Sequence, residues 1–364
     1  MFSVCHAALM GTLGCQFGLS KSRLLTLSVL IMGLAQSRTV NLTHLASHLP
    51  GKASHASAYR RLQRFFQFVR LDADRMALMV VHMLNLGRKK CLALDRTNWK
   101  IGSKDVNILV LAIVTRRFRV PLLWTLIPHQ GNSDTAQRIA LMGRYLALFG
   151  ASSIECLLAD REFIGARWMD FLNENNIPFV IRVKGDMTLV LESGQACSLK
   201  TLLRKKRAKS VAFTCRGRLN GDAGATAQPV QIAAKRLADD QWLIVATNRQ
   251  EAKQALNLYR RRWGIECLFA DAKTRGLNLE DTRLRHADKL DTLLILVTLA
   301  MTWAYRCATR KMTMKAIARK THGRRERSWF RTGLDALRKW IVNDPDKAIY
   351  AWTQMAPKQP LKTS

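Results

Sequence analysis

Between Cys91 and Ile127 three runs rich in Val, Ile and Leu follow one another: Cys91 to Leu94, Val106 to Val114 and Val120 to Ile127. Apolar runs of this length, separated by turn-like segments at Gly102 to Lys104 and Arg116 to Phe118, read as strands of a three-strand meander. A helix is predicted over Asp134 to Phe149, with Ser133 as its N-cap and Gly150 ending it. A strand at Glu155 to Ala159, a helix near Ala166 to Asn173 and a strand at Phe179 to Val183 follow. The order βββαβαβ demands a mixed sheet whose parallel part is reached through helical crossovers.

The flanks differ in pattern. Apolar residues recur at helical spacing from Lys21 to Gln36 and again around Asn41 to Leu49, and Ser54 to Val69 reads as a third helix. In that third helix Arg60, Arg61 and Arg64, with Arg70 just beyond, are interleaved with Tyr59, Phe65, Phe66 and Phe68. Residues 184–241 alternate irregularly around the basic cluster Arg204 to Lys209, the pattern of a β-rich insertion. Trp242 to Thr247 is one more strand, Glu251 opens a long helix through Lys273, and an apolar helix runs from Asp288 to about Arg306. The expected class is α/β, a mixed-sheet core with a β-rich insertion, flanked by helical N- and C-terminal regions. The expected divisions are 1–88, a helical DNA-binding region; 89–305, the core with its insertion at about 184–241; and 306–364, a basic helical end.

Charge narrows the partner. Fifty-nine Lys and Arg against 26 Asp and Glu leave +33, while 48% hydrophobic residues exclude a disordered polyelectrolyte. Residues 1–88 hold ten basic and two acidic side chains, and 306–339 hold twelve basic ones against Glu326 and Asp335. Such a surface calls for a polyanion, nucleic acid first. The eight cysteines are scattered singly, which excludes both a zinc motif and a disulfide framework. The first twenty residues lack the basic start of a signal peptide, and the apolar runs at Leu24 to Ala35 and Leu290 to Tyr305 read as buried helices rather than bilayer spans, so a soluble, cytoplasmic protein is expected.

Chemistry is suggested by three acids. Asp95 closes the first strand run and Asp160 closes Leu157-Leu158-Ala159, so two strands each deliver a carboxylate to a sheet edge. Glu266 lies among Trp263, Ile265, Leu268 and Phe269, where an unpaired carboxylate would be costly. Singly, each has an ordinary explanation as a turn residue or ion-pair member. Together, in so basic a chain, they suggest oxygen ligands converging on a hard cation of the Mg²⁺ type, shared with substrate phosphates. On the same expected helix Tyr259, Arg262, Glu266 and Lys273 fall along one stripe of a 3.6-residue repeat.

This spacing, Tyr259-x-x-Arg262-x-x-x-Glu266-x-x-x-x-x-x-Lys273, resembles the Y-R-E-K signature of the insertion-sequence-four family of bacterial DDE transposases, with Asp95 and Asp160 where that family has its first two acids. The resemblance implies an RNase H-like core in which Asp95, Asp160 and Glu266 are catalytic and hold two Mg²⁺ or Mn²⁺ ions. It implies cutting at terminal inverted repeats and joining of the 3′-hydroxyl ends to target DNA. Tyr259, Arg262 and Lys273 would contact phosphates near the cut, and Trp242 resembles the family tryptophan that receives a flipped base. Partners would be double-stranded DNA and a second copy of the chain. Two rivals remain at this point: an RNase H-like nuclease without strand transfer, and a catalytically inactive DNA-binding remnant.

Nearby residues receive lesser roles. Trp263 is expected in the core beside the catalytic helix, and Glu162 in a turn behind Asp160. Asp134 is expected at a helix N-terminus, His129 without a partner, and Asp271 against Arg275. The basic tract 306–339, where Arg alternates with Trp329 and Phe330 ahead of Trp340, is expected to track a DNA backbone.

Overall fold

The computed structural model describes residues 2–204, 212–221, 224–314, 317–321, 323 and 325–354. Five helices come first: α1 Phe2–Phe17, α2 Lys21–Ser37, α3 Leu42–Ala46, α4 His55–Phe68 and α5 Ala73–Met83. Local capping sets their starts, since the side chains of Asn41, Ser54 and Asp72 accept backbone N–H bonds from the first turns of α3, α4 and α5. The meander is β1 Lys90–Ile101, β2 Lys104–Val114 and β3 Arg119–Ile127, all antiparallel neighbours. Next come α6 Thr135–Phe149, β4 Ile154–Ala159, α7 Ala166–Glu174 and β5 Phe179–Arg182, with β4 parallel to both β1 and β5.

The insertion does not fold aside. It supplies β6 Thr188–Leu191, β7 Ala196–Ser198, α8 Leu199–Arg204, β8 Phe213–Gly221, β9 Gly224–Ala225 and β10 Val230–Arg236, and β10 pairs with β11 Trp242–Thr247, which pairs with β5. One sheet of eleven strands results, ordered β3-β2-β1-β4-β5-β11-β10-β8-β6-β7 with β9 on β8. Its first five positions, with two antiparallel and two parallel pairings, are the RNase H-like arrangement. Of the basic cluster, residues 205–209 lie outside the described residues.

Three expectations are corrected. β1 continues well past Leu94, because Thr97, Trp99 and Ile101 are buried in alternation with exposed Asn98 and Lys100 while β2 satisfies the backbone. Asp95 therefore stands inside a long strand, at the point where pairing with β4 ends, rather than at the strand's end. The cap of α6 is Asp134, not Ser133: Asp134 and Gln137 form a reciprocal capping box, while Ser133 is buried and its hydroxyl accepts from Arg138 Nε at 3.0 Å. The long helix from Glu251 is broken into α9 Ala252–Tyr259, a tight 3₁₀ turn at Arg260–Arg262, and α10 Trp263–Ala272.

Behind the meander lies α11 Ala287–Met314, followed by α12 Trp329–Asn343 and α13 Pro345–Thr353. By length and composition α11 could cross a membrane, but 94% of its most apolar window is buried inside the protein. It packs against β3, α2, α5, α12 and α13. Trp124 on β3 donates its indole N–H to Asp291 at 2.8 Å, and Arg338 and Gln36 exchange hydrogen bonds between the two ends of the chain. Trp329, Phe330 and Trp340 are core residues of α12 rather than a DNA-facing strip.

α12 meets α11 at Gly333, where a Cβ would sit 1.9 Å from the carbonyl oxygen of Ala304. Gly333→Ala is expected to cost about 2 kcal/mol through forced separation of α11 and α12, seen as a lower midpoint in urea unfolding; an unchanged midpoint would contradict this packing.

Candidate active site

Register brings the first two acids together. Leu94 pairs with Ala159 at the end of the parallel β1–β4 ladder, so Asp95, within β1, and Asp160, just past the end of β4, follow side by side from strands about 4.8 Å apart. Local backbone bonds then hold them: each carboxylate accepts the N–H of the residue after it, Asp95 from Arg96 at 2.8 Å and Asp160 from Arg161 at 2.7 Å. The third acid arrives from α10, which lies across β1, β2 and β3. At Gly264 that helix comes so near β2 that a Cβ would meet Val114 at 3.2 Å.

All three carboxylates point an oxygen at one guanidinium. Arg262 Nη1 donates to Asp95 Oδ2 at 2.9 Å, while Nη2 lies 3.5 Å from Asp160 Oδ2 and also donates to Glu266 Oε1. Tyr259 donates its hydroxyl to the other oxygen of Asp160 at 3.3 Å. Burial pushes Asp95 up to about 6, with the Arg262 cation and the Arg96 N–H opposing it and the acids Glu162 and Asp160 adding to the rise. Burial likewise raises Tyr259, which stays a hydrogen-bond donor at any working pH.

The 3₁₀ turn is what makes this possible. It re-aims the chain between α9, packed on β5, β10 and β11, and α10, packed on β1 to β3. Consecutive arginines thereby diverge: Arg261 reaches back to Glu155 at 2.9 Å, and Arg262 enters the acid cluster. Tyr259, Arg262 and Glu266 thus share one face across the tightened 3₁₀ turn, as their spacing predicts, while Lys273 leaves it. Lys273 is elsewhere. It caps α10, donates to Asn98 O on β1 at 3.0 Å, pairs with Glu280 at 2.8 Å and lies over the Trp99 ring.

The remaining residues sort as follows. Trp242 is half-buried at the start of β11, next to the end of β5 and so at the carboxylate end of the sheet. Trp263 is 64% exposed, against the expectation of a core residue, because α10 turns Ile265 and Leu268 inward instead. Glu162 sits in the turn after Asp160 and pairs with Arg96 at 3.0 Å; Arg96 also donates to Asn107 and Asn132, a bracing network that the sequence pattern did not show. His129 Nδ1 lies 2.8 Å from Gln130 O.

As placed, no three acids, histidines or cysteines among the described residues are close enough to hold a metal ion, and all eight cysteines are free. The donor chemistry nonetheless fits a hard cation: three oxygen donors from three elements converge on a point that already attracts positive charge. Asp95, Asp160 and Glu266 are the residues able to hold divalent ions there.

A large open groove of about 1170 Å³ lies away from the acids. It is a groove between α4 and the segment 281–289, with Tyr59, Arg60, Arg64, Arg283, Arg285 and Lys289 among its walls. Arg61 is turned inward onto Thr26 and Ser22, and Arg70 pairs with Asp288. That leaves Arg60 and Arg64 as the α4 cations facing the groove. Several C-terminal arginines are also structural, Arg306 bonding Ala351 O and both Arg327 and Arg331 pairing with Asp335.

Residues 86–303, more than half of the chain, match the transposase DDE domain family, and the chain belongs to that family. No curated protein matches it. The protein is a DDE transposase with an RNase H-like fold.

Asp271 offers a test of the surroundings. It is 7% exposed, and burial pushes it up to about 6 against the fields of Arg119 first and Arg275 second. A raised native value means that the folded state holds its proton more tightly than the unfolded state. Stability is therefore unaffected below about pH 4 and is lost between there and pH 6. Asp271→Asn removes that loss, so its advantage over wild type in unfolding free energy, measured by urea titration, should widen from pH 5 to pH 7.5, toward at most about 3 kcal/mol. A pH-independent difference would contradict the assignment.

Proposed function

We propose that this chain is the transposase of an insertion sequence of the insertion-sequence-four type, carrying the Y-R-E-K signature as Tyr259, Arg262, Glu266 and Lys273. It cuts at the terminal inverted repeats of its element and joins the 3′-hydroxyl ends to target DNA. The observation that carries this reading is the convergence of Asp95, Asp160 and Glu266, one from a long strand, one from a neighbouring parallel strand and one from α10, at a single cation-attracting point.

In this reading the three acids hold two Mg²⁺ or Mn²⁺ ions. When bound, such ions supply charge stabilisation on the attacking and leaving oxygens of an in-line phosphoryl displacement. The protein's own groups do the rest. The short N–H bonds to Asp95 and Asp160 hold the carboxylates in place, and Tyr259 keeps Asp160 from turning away. Arg262 offers a forked donor set to a phosphate once released from the acids, Lys273 a point charge beside β1, and Trp242 a ring face at the same end of the sheet.

DNA reaches this centre along a basic surface. The α4 groove is tied to the active strand, since Lys104 at the β1–β2 turn donates to Arg285 O at 2.5 Å on the groove wall. Residues 1–88 would thus act as the DNA-binding region, and the basic C-terminal helices would serve the contact between two copies that hold two ends together. A cytoplasmic, nucleoid-bound protein follows from this role.

The test is cleavage of a labelled duplex carrying the repeat that flanks the coding sequence, with Mg²⁺ or Mn²⁺, comparing wild type with Glu266→Gln at matched folding. Loss of at least roughly 100-fold in cutting, leaving 3′-hydroxyl ends in wild type, is expected because ion-based charge stabilisation contributes several kcal/mol. Cutting without strand transfer would mark a nuclease, and binding without cutting a catalytically inactive relative.

A further inference from the structure

Arg262 is placed where a divalent ion would have to go. Its side chain is 11% exposed, and its guanidinium meets an oxygen of each of the three acids, whose side chains are 16%, 27% and 34% exposed for Asp95, Asp160 and Glu266. No other cation contacts those oxygens among the described residues: Arg96 is engaged with Glu162, Arg261 with Glu155 and Lys273 with Glu280. A guanidinium and a divalent ion that draw on the same oxygens exclude each other, both sterically and by charge. The acids spread around the guanidinium fork rather than closing on one another, in keeping with the absence of a ready-made ion cage among the described residues.

What could draw Arg262 out is set by its chemistry. A planar fork of donors leaves a carboxylate readily only for another bidentate anion, and a phosphodiester is one. The residue stands on the 3₁₀ turn between α9 and α10, with neighbouring Arg260 and Trp263 exposed, so its long side chain can swing without unpacking either helix. A phosphate taking the guanidinium frees all three acids at once. An ion binding those acids in turn leaves the guanidinium free for phosphate.

We propose that Arg262 is an internal cation that closes the carboxylate centre to divalent ions until a DNA phosphate draws it away, so that ion binding and DNA binding are positively coupled. The inference rests on reading Asp95, Asp160 and Glu266 as the ion-binding residues. By reciprocity DNA must tighten ion binding by the same factor as ions tighten DNA binding, and couplings of this kind are about 5- to 150-fold. The consequence is a nuclease centre that assembles only on its substrate.

The experiment is a Mn²⁺ titration of the full chain followed by loss of the free-ion paramagnetic signal, with and without a short blunt duplex at low salt, for wild type, Arg262→Gln, Arg262→Lys and Asp95→Asn. Arg262→Gln should bind Mn²⁺ roughly tenfold more tightly than wild type without DNA and gain little from duplex, whereas wild type should gain about as much from duplex as the variant gains from substitution. Arg262→Lys, which keeps a cation, should stay near wild type. Folding is checked by melting, where Mn²⁺ should raise the midpoint of Arg262→Gln more than that of wild type. Mn²⁺ binding that depends on Asp95 but ignores both Arg262→Gln and duplex overturns the exclusion while leaving the ion site standing. Mn²⁺ binding that ignores Asp95→Asn as well removes the ion site, and the inference with it.

Discussion

The parallel pairing of β1 with β4 is the constraint on which the rest of this protein depends. Backbone hydrogen bonding sets the register at Leu94 and Ala159, and the next residue on each strand is an aspartate. Two carboxylates at neighbouring strand positions repel and lose hydration, so they persist only with a compensating cation. The chain supplies one from Arg262, and the helix break at 260–262 exists at the place where that arginine can reach both aspartates and Glu266. Burial still pushes Asp95 up to about 6, against the opposing field of Arg262.

The insertion and the termini serve this arrangement in different ways. The strands of 184–241 prolong the sheet beyond β5 through β11 and place Trp242 at the carboxylate end. The terminal helices wrap α11, which backs the meander, so the two ends of the chain brace the same core that positions Asp95. The charge of +33 is therefore not uniformly available to DNA. Arg61, Arg306 and Arg338 are spent on backbone carbonyls and hydroxyls, while Arg60, Arg64 and Arg285 line an open groove.

Much of this was legible in the sequence where local physics decides. The apolar runs of the meander, β4 and β11 are found within one or two residues of their expected bounds, because dense Val, Ile and Leu content has one outcome in a buried sheet. The end of β1 was not legible: its second half is polar, and only pairing with β2 makes it a strand. The helical stripe holds for Tyr259, Arg262 and Glu266 but not for Lys273, which turns to Asn98 and Glu280. Periodicity from 251 to 273 fits one helix, whereas the chain tightens into a 3₁₀ turn at Arg260–Arg262, from which Arg261 pairs with Glu155 and Arg262 with the acids. Trp263 is exposed because Ile265 and Leu268 take the inward positions of α10. The three acids themselves were legible because each follows or interrupts an apolar run: Asp95 after Leu92-Ala93-Leu94, Asp160 after Leu157-Leu158-Ala159 and Glu266 between Ile265 and Leu268.

The most direct measurement is an anomalous difference map at the manganese edge from crystals of the protein grown with duplex DNA and Mn²⁺. The account predicts peaks about 2 Å from carboxylate oxygens of Asp95, Asp160 and Glu266, with the Arg262 guanidinium moved onto a phosphate. Manganese bound elsewhere, or Arg262 still seated among the three acids with DNA in place, would contradict it.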